Sequence, residues 1–277
     1  MINDGSTDET EGYLKSLGNR IICFSQSNQG PGAARNLGAW NAKGEYLAFL
    51  DSDDLWFPWT LSCFAELIDR YHYPAVLAAK FSEFTDDSAL DDIGEDPVRA
   101  DVYEDYLSSH RKGYSVGAGT SALRHDQFIK AGGYTEQQIN AEDHDLVLRM
   151  GTARGFVQLI SPVTLGWRRH KASQTAILHR TFKGVLYLLE QETRGLYPGG
   201  SSRAWDRRNI ITVHSRPVTV SCLKQGLRSE AWEMYRATFA WNAALGRGKY
   251  LAGFLALAAM ARFHASPMPT LLSNFDK

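Results

Sequence analysis

The sequence predicts an α/β fold, a mostly parallel sheet flanked by helices, followed by a helical C-terminal region. Three observations carry that prediction. "YLAFL" (Tyr46 to Leu50) and "AVLAAKF" (Ala75 to Phe81) are unbroken apolar runs of strand length, the pattern of strands covered on both faces. Segments with helical spacing alternate with them, which is the βαβ pattern of an α/β sheet. From about Thr181 onward, helical patterns such as "FKGVLYLLEQETRGLY" take over.

Taken in order, "MINDGSTDET" places a cluster of turn-formers and acids only two residues after the start, where a strand is normally needed to lead into such a turn. In "NRIICFSQ", Ile21 to Phe24 read as a short buried strand. "NQGPGAARNLGAWNAKGEY" then begins a helix. Gly30 makes the turn, Pro31 suits a first helical position, Ala34, Leu37 and Trp40 or Asn41 recur at helical spacing, and Gly44 stops it. The strand "YLAFL" ejects the acids "DSDD" at its carboxyl end, the edge where ligands bind in open α/β sheets. A helix from about Pro58 to Tyr71 and the strand "AVLAAKF" follow. The acid-rich segment from Asp86 to Asp105 reads as a surface loop or insertion. A boundary near residue 176 divides residues 1–176 from a helical region, 177–277, in which "YPGGSSRAWDRRN" separates two helical stretches.

Composition limits the function. A chain of 277 residues with 44% hydrophobic content can bury a full core. Thirty Lys and Arg against 31 Asp and Glu leave a net charge of -1, so no overall basic field draws the chain to nucleic acid. Cys23, Cys63 and Cys222 are odd in number and far apart, the usage of free thiols in a reducing compartment, and the reading is cytoplasmic. The longest apolar run, "YLAGFLALAAMA", is too short for an ordinary membrane span. With Arg247, Lys249 and Arg262 flanking it, it suits a helix packed on its neighbours or lying at the inner face of a membrane.

Three acidic clusters can carry chemistry: Asp4 with Asp8, the trio Asp51, Asp53 and Asp54, and the set Glu142, Asp143 and Asp145. "DSDD" fits a magnesium- or manganese-diphosphate site, and it equally fits a solvated turn in which Asp54 caps the next helix. Asp143, before the apolar stripe Leu146, Val147 and Met150, is either an N-cap or a general base on a rigid element. The basic cluster Arg168, Arg169 and His170 is either a solvated face or an anion contact.

The order "NDGSTD", "NQGPGAARNLGAWNAKGEYLAFLDSDDLW", "GGY", "EDHDLVLR" and "WRRHKASQT" resembles family 2 glycosyltransferases of the Rossmann-like GT-A fold, over roughly residues 1 to 176. The resemblance implies an inverting, metal-assisted transfer of a sugar from a nucleotide-diphosphate donor to the hydroxyl of a saccharide, lipid-linked or protein acceptor, in polysaccharide or cell-wall biosynthesis. It assigns Asp143 as catalytic base, with Glu142 beside it facing the acceptor. Asp4 falls at the nucleotide base, Arg35 near the base or phosphates, Asp51 at the ribose, Asp54 beside it, and Arg168 at the diphosphate. Asp53, with His170, would hold the divalent cation, Mn2+ or Mg2+. Thr120, Ser121, Gly132, Gly133 and Tyr134 would lead from the sheet to the acceptor loop.

Set against that family, the chain starts inside the second strand. It is expected to lack an N-terminal strand-helix unit of about thirty to forty residues and to transfer sugar poorly. Two other readings compete. "YLAFLDSDDL" resembles the nucleophile motif of haloacid-dehalogenase-like phosphatases, but Leu55 stands where Thr or Val is expected. The chain could also keep the fold as a catalytically inactive nucleotide-sugar-binding or interaction protein.

Overall fold

The computed structural model describes residues 1–170 and 178–261. The boundary expected near residue 176, the "KASQT" end of the basic motif and the flanking Arg262 lie outside the described residues.

The first half alternates strands and helices: β1 (Ile2–Asp4), α1 (Thr10–Ser16), β2 (Phe24–Gln26), α2 (Pro31–Asn41), β3 (Tyr46–Ala48), β4 (Leu55–Trp56), α3 (Thr60–Arg70) and β5 (Val76–Phe84). Then come β6 (Arg99–Tyr103), β7 (Ser121–Arg124), α4 (His125–Lys130), α5 (Glu142–Arg149) and the long β8 (Phe156–Arg168). Four helices follow: α6 (Leu178–Thr193), α7 (Ala204–Lys224), α8 (Arg228–Ala244) and α9 (Gly248–Ala261).

The main sheet has the order β3-β7-β5-β8-β4, with β6 also paired to β8. The α/β class stands, with helices on both faces of the sheet, but the strand directions are mixed where a mostly parallel sheet was expected. β5 and β8 run parallel, while β3–β7, β5–β7, β4–β8 and β6–β8 are antiparallel. Continuous apolarity reports burial on both faces and is blind to direction, so β7 enters between β3 and β5 without altering either run. Among the described residues β1 and β2 pair only with each other, in parallel.

Two local expectations shift. The strand expected at Ile21 to Phe24 forms three residues later, over Phe24–Gln26, and Ile22 is 73% exposed. The acid-rich segment holds a 3-10 turn at Asp87–Leu90 and the strand β6, in which Asp101 stands between Ala100 and Val102.

Both faces of the sheet are buried. On one, Cys63, Phe64 and Leu67 of α3 pack on Leu77, Val157 and Leu159. On the other, Val76 and Phe156 join Leu146 and Leu148 of α5 and a continuous cluster running through Leu188, Ile211, Met234 and Phe254. The C-terminal helices therefore share one core with the helix carrying Asp143. Phe254 of α9 stacks on Tyr235 at 4.2 Å, while Leu255 and Met260 face outward. Among the described residues no helix is long and apolar enough to cross a membrane.

Phe156 is fully buried with Tyr103, Tyr106 and Tyr114 around it. Phe156→Ala is expected to cost about 3–5 kcal/mol of stability, read from the urea unfolding midpoint.

Candidate active site

Asp4 ends β1 and fixes the loop that launches α2. Its Oδ1 accepts from Gln26 Nε2 at 2.8 Å and from the Gln29 amide at 2.9 Å, and its Oδ2 from the Gly30 amide at 2.9 Å. Gly30 at φ +93° then turns the chain into Pro31 at the helix start.

Arg35, on α2, is 12% exposed and stands among three carboxylates. Its Nη2 donates to both Asp51 oxygens at 2.8 and 3.0 Å, its Nη1 donates to Glu142 Oε1 at 2.9 Å, and Nη1 lies 3.6 Å from Asp143 Oδ1. The Tyr134 ring supports the guanidinium at 5.4 Å. That ring is held in turn by Asn36, the neighbour of Arg35, whose Oδ1 accepts from the Tyr134 amide at 2.7 Å and whose Nδ2 donates to the Tyr134 carbonyl at 2.9 Å.

Gly133 makes this clasp possible. It sits at φ +71°, and a Cβ there would lie 2.5 Å from Asn36 Oδ1. Gly133→Ala is expected to destabilise the fold by more than about 1 kcal/mol, because the backbone conformation and the clash both oppose a side chain. Thermal unfolding checks it.

Asp143 lies in the first turn of α5, where the residue at the cap position is Ala141. Its carboxyl is pushed up to about 7, first by burial and then by the adjacent Glu142 carboxylate, with Arg35 opposing and Asp51 adding to the rise. Oδ1 is buried with no hydrogen-bond partner. Gly117 lies beside the other oxygen, since a Cβ built on that glycine would stand 3.9 Å from Asp143 Oδ2. Asp145 does something different: buried, it accepts from Arg149 and from Tyr197 Oη at 2.9 Å and so pins α5 to the segment after α6.

The "DSDD" loop is tied to the end of β8. Asp54 Oδ1 accepts from the Arg168 amide at 2.9 Å, Arg168 Nε donates to the Asp53 carbonyl at 3.0 Å, and the Arg168 guanidinium lies 4.4 Å from the centre of the Phe84 ring. Asp54 therefore does not cap α3. Burial pushes its carboxyl up to about 6, against the pull of the Arg168 amide and with Asp53 and Asp51 adding to it. Asp53 Oδ2 and His170 Nε2 are 2.9 Å apart.

The structure thus gathers the sequence-predicted residues into two adjoining groups. Arg35 binds Asp51 and Glu142 and approaches Asp143, while Asp53, Asp54, Arg168 and His170 meet at the end of β8; the loop from Asp51 to Asp54 joins the two. Asp4 supports them through α2. Sequence reading missed Asn36, paired across 98 positions, and Gly117 against the base. Only the glycines of "GAG" at 117–119 hinted at the second.

Among the described residues no group of three or more His, Cys, Asp or Glu side chains is placed to hold a metal ion. Asp53 and His170 bring one carboxylate and one imidazole together at the end of β8, and magnesium or manganese takes one or two carboxylates with substrate phosphates and water.

S. aureus TarS 1–349, in complex with UDP-GlcNAc, superposes over 95% of this chain and 81% of its own, at a TM-score of 0.68 and 16% identity. The fold is that of a GT-A glycosyltransferase. The family described as Glycosyl transferase family 2 matches residues 1–130. Uncharacterized glycosyltransferases of Rickettsia bellii (strain RML369-C) and Haemophilus influenzae (strain ATCC 51907 / DSM 11121 / KW20 / Rd) are 49% and 45% identical over 59 and 58 residues. These stretches are 21% and 20% of this chain, and only 9% and 23% of those proteins.

Proposed function

We propose that the chain transfers a glycosyl unit from a nucleoside-diphosphate sugar to an acceptor hydroxyl with inversion, using Asp143 as the general base. One observation carries the reading: Asp143 is a half-buried carboxyl whose enclosed Oδ1 has no hydrogen-bond partner, raised to about 7, on a rigid helix and one ion-pair shell from the "DSDD" loop. A base poised near neutral pH suits removal of a hydroxyl proton.

In this reading the loop held by Asp4 borders the nucleotide base, Asp51 meets the ribose, and Asp54 keeps the "DSDD" loop docked on Arg168. Asp53 and His170 would hold a divalent cation, which when bound supplies positive charge to the leaving diphosphate. Arg168 adds a fixed cation on the same side. Asp143 takes the acceptor proton while the acceptor oxygen bonds to the anomeric carbon and the bond to the diphosphate oxygen breaks on the opposite face. Glu142 stays bound to Arg35 and keeps that cation beside the base.

Asp53→Ala is expected to abolish the stimulation of nucleoside diphosphate release by Mg2+ or Mn2+ while leaving the fold intact. A metal response equal to that of the unaltered chain would return Asp53 to the role of a turn residue.

A further inference from the structure

Charge is divided unevenly along the chain. Residues 1–206 carry 20 Lys and Arg against 28 Asp and Glu, whereas residues 207–261 carry eight against two. Those two acids, Glu230 and Glu233, lie near the start of α8, so residues 234–261 hold Arg236, Arg247 and Lys249 and no acid. The net charge of -1 over the whole chain conceals this division, and such asymmetry points to an anionic partner for the basic part.

The basic part also leaves an apolar face uncovered. Residues 251–261 of α9 include no polar side chain. Phe254 and Ala258 turn inward, Phe254 against Trp232 and Tyr235 of α8, while Ala252, Gly253, Leu255, Ala256 and Ala259 are exposed, Leu255 at 48%. Phe239 of α8, 47% exposed, meets edge-on at 5.8 Å the same Tyr235 ring that Phe254 stacks on. Exposed cations border this face. Lys249 stands at the start of α9, and the Arg236 guanidinium lies 5.8 Å from the centre of the Trp232 ring that packs on Phe254. One edge of α9 is thus in the core, and the other remains available for a contact.

Charge decides which contact. A second copy of the chain would bring two basic regions together and repel. A nucleic acid would meet the cations but leave Leu255 and Phe239 unused. A protein partner is met by polar groups around a hydrophobic centre, and residues 251–261 offer none. An anionic lipid surface answers to both features, because an interfacial helix sinks its apolar face among the headgroups while Lys and Arg beside it meet negative lipid.

We infer that the outward face of α9, with Phe239 and the flanking Arg236 and Lys249, docks the chain on an anionic lipid bilayer. The helix lies along the surface; none among the described residues is long and apolar enough to cross it. This contact uses no residue of the carboxylate site and stands apart from the transferase reading.

Flotation of the full chain with vesicles of phosphatidylcholine, and with vesicles in which about a third of the lipid is phosphatidylglycerol, tests it. The chain is expected to float with the anionic vesicles only, and to be largely released at about 1 M salt, where charges are screened within about 3 Å. Leu255→Asp puts a charge on the exposed apolar face and should lower the affinity for anionic vesicles at least about tenfold. Lys249→Glu should lower it at least about fivefold. Both positions are exposed, so both variants should melt with the parent. No flotation with anionic vesicles, equal flotation with neutral ones, or flotation unchanged by both substitutions would overturn the inference. A chain that stays off vesicles but sediments as a dimer dispersed by Leu255→Asp would assign the face to a second copy and overturn it as well.

Discussion

Asp143→Asn is expected to lower sugar transfer at least about a hundredfold while the nucleotide-sugar still binds, because asparagine keeps the shape of the carboxylate and loses its basicity. The pH dependence follows from the same burial. With the carboxyl raised to about 7, its base form fills only as pH rises through that value, so kcat/KM should fall on the acid side with a midpoint near 7. Stability should run the other way. The unfolded chain releases this proton near the ordinary 3.8 and the native chain near 7, so the native state binds more protons between them. This group's contribution to stability is then present at low pH and lost as pH rises across that window. Asparagine carries no such charge, and the variant should melt higher than the parent above pH 7 although it is nearly inactive. A variant that loses activity and melting temperature together would show that Asp143 supports structure.

Arg35→Ala should have the next largest effect. It removes a cation that meets Asp51, Glu142 and Asp143 at once, two of them through direct hydrogen bonds. Breaking a buried pair by deleting one partner typically costs about 3–5 kcal/mol, since the remaining charges are left uncompensated. Arg35 also opposes the upward shift of Asp143, so its loss should move the acid limb of the kcat/KM profile to higher pH. A limb that stays in place would mean the base is insensitive to this cation. Arg35→Lys restores charge without the two-pronged geometry and should recover the limb better than it recovers stability.

Much of this was legible in the sequence. Acids at the end of "YLAFL", the Gly-Pro start of α2 and the acidic head of "EDHDLVLR" are local signals, and the structure puts Asp51, Asp53, Arg35 and Asp143 on the elements those signals specify. What was illegible is long-range. Nothing near Asn36 announces that its amide will clasp Tyr134, and the mixed strand directions follow from β7 pairing on both sides, which apolar runs do not encode. β6 was hidden because its alternating Ala100 and Val102 are embedded in acids that dominate the segment's composition. β5 and β8 pair with a register shift after Ala78, which faces Gln158 across 80 positions, and such a break has no sequence signature.

The account turns on whether these residues perform transfer or only hold a nucleotide-sugar. Release of nucleoside diphosphate from a panel of uridine, guanosine, adenosine and thymidine diphosphate sugars, with Mn2+ at pH 8, measures this directly in the chain and in Asp143→Asn side by side. The expected result is release from at least one donor by the unaltered chain, exceeding that of Asp143→Asn at least about a hundredfold, with both proteins stabilised by the same nucleotide. Nucleotide stabilisation of both proteins with no release by the unaltered chain would make it a binding protein and contradict the account.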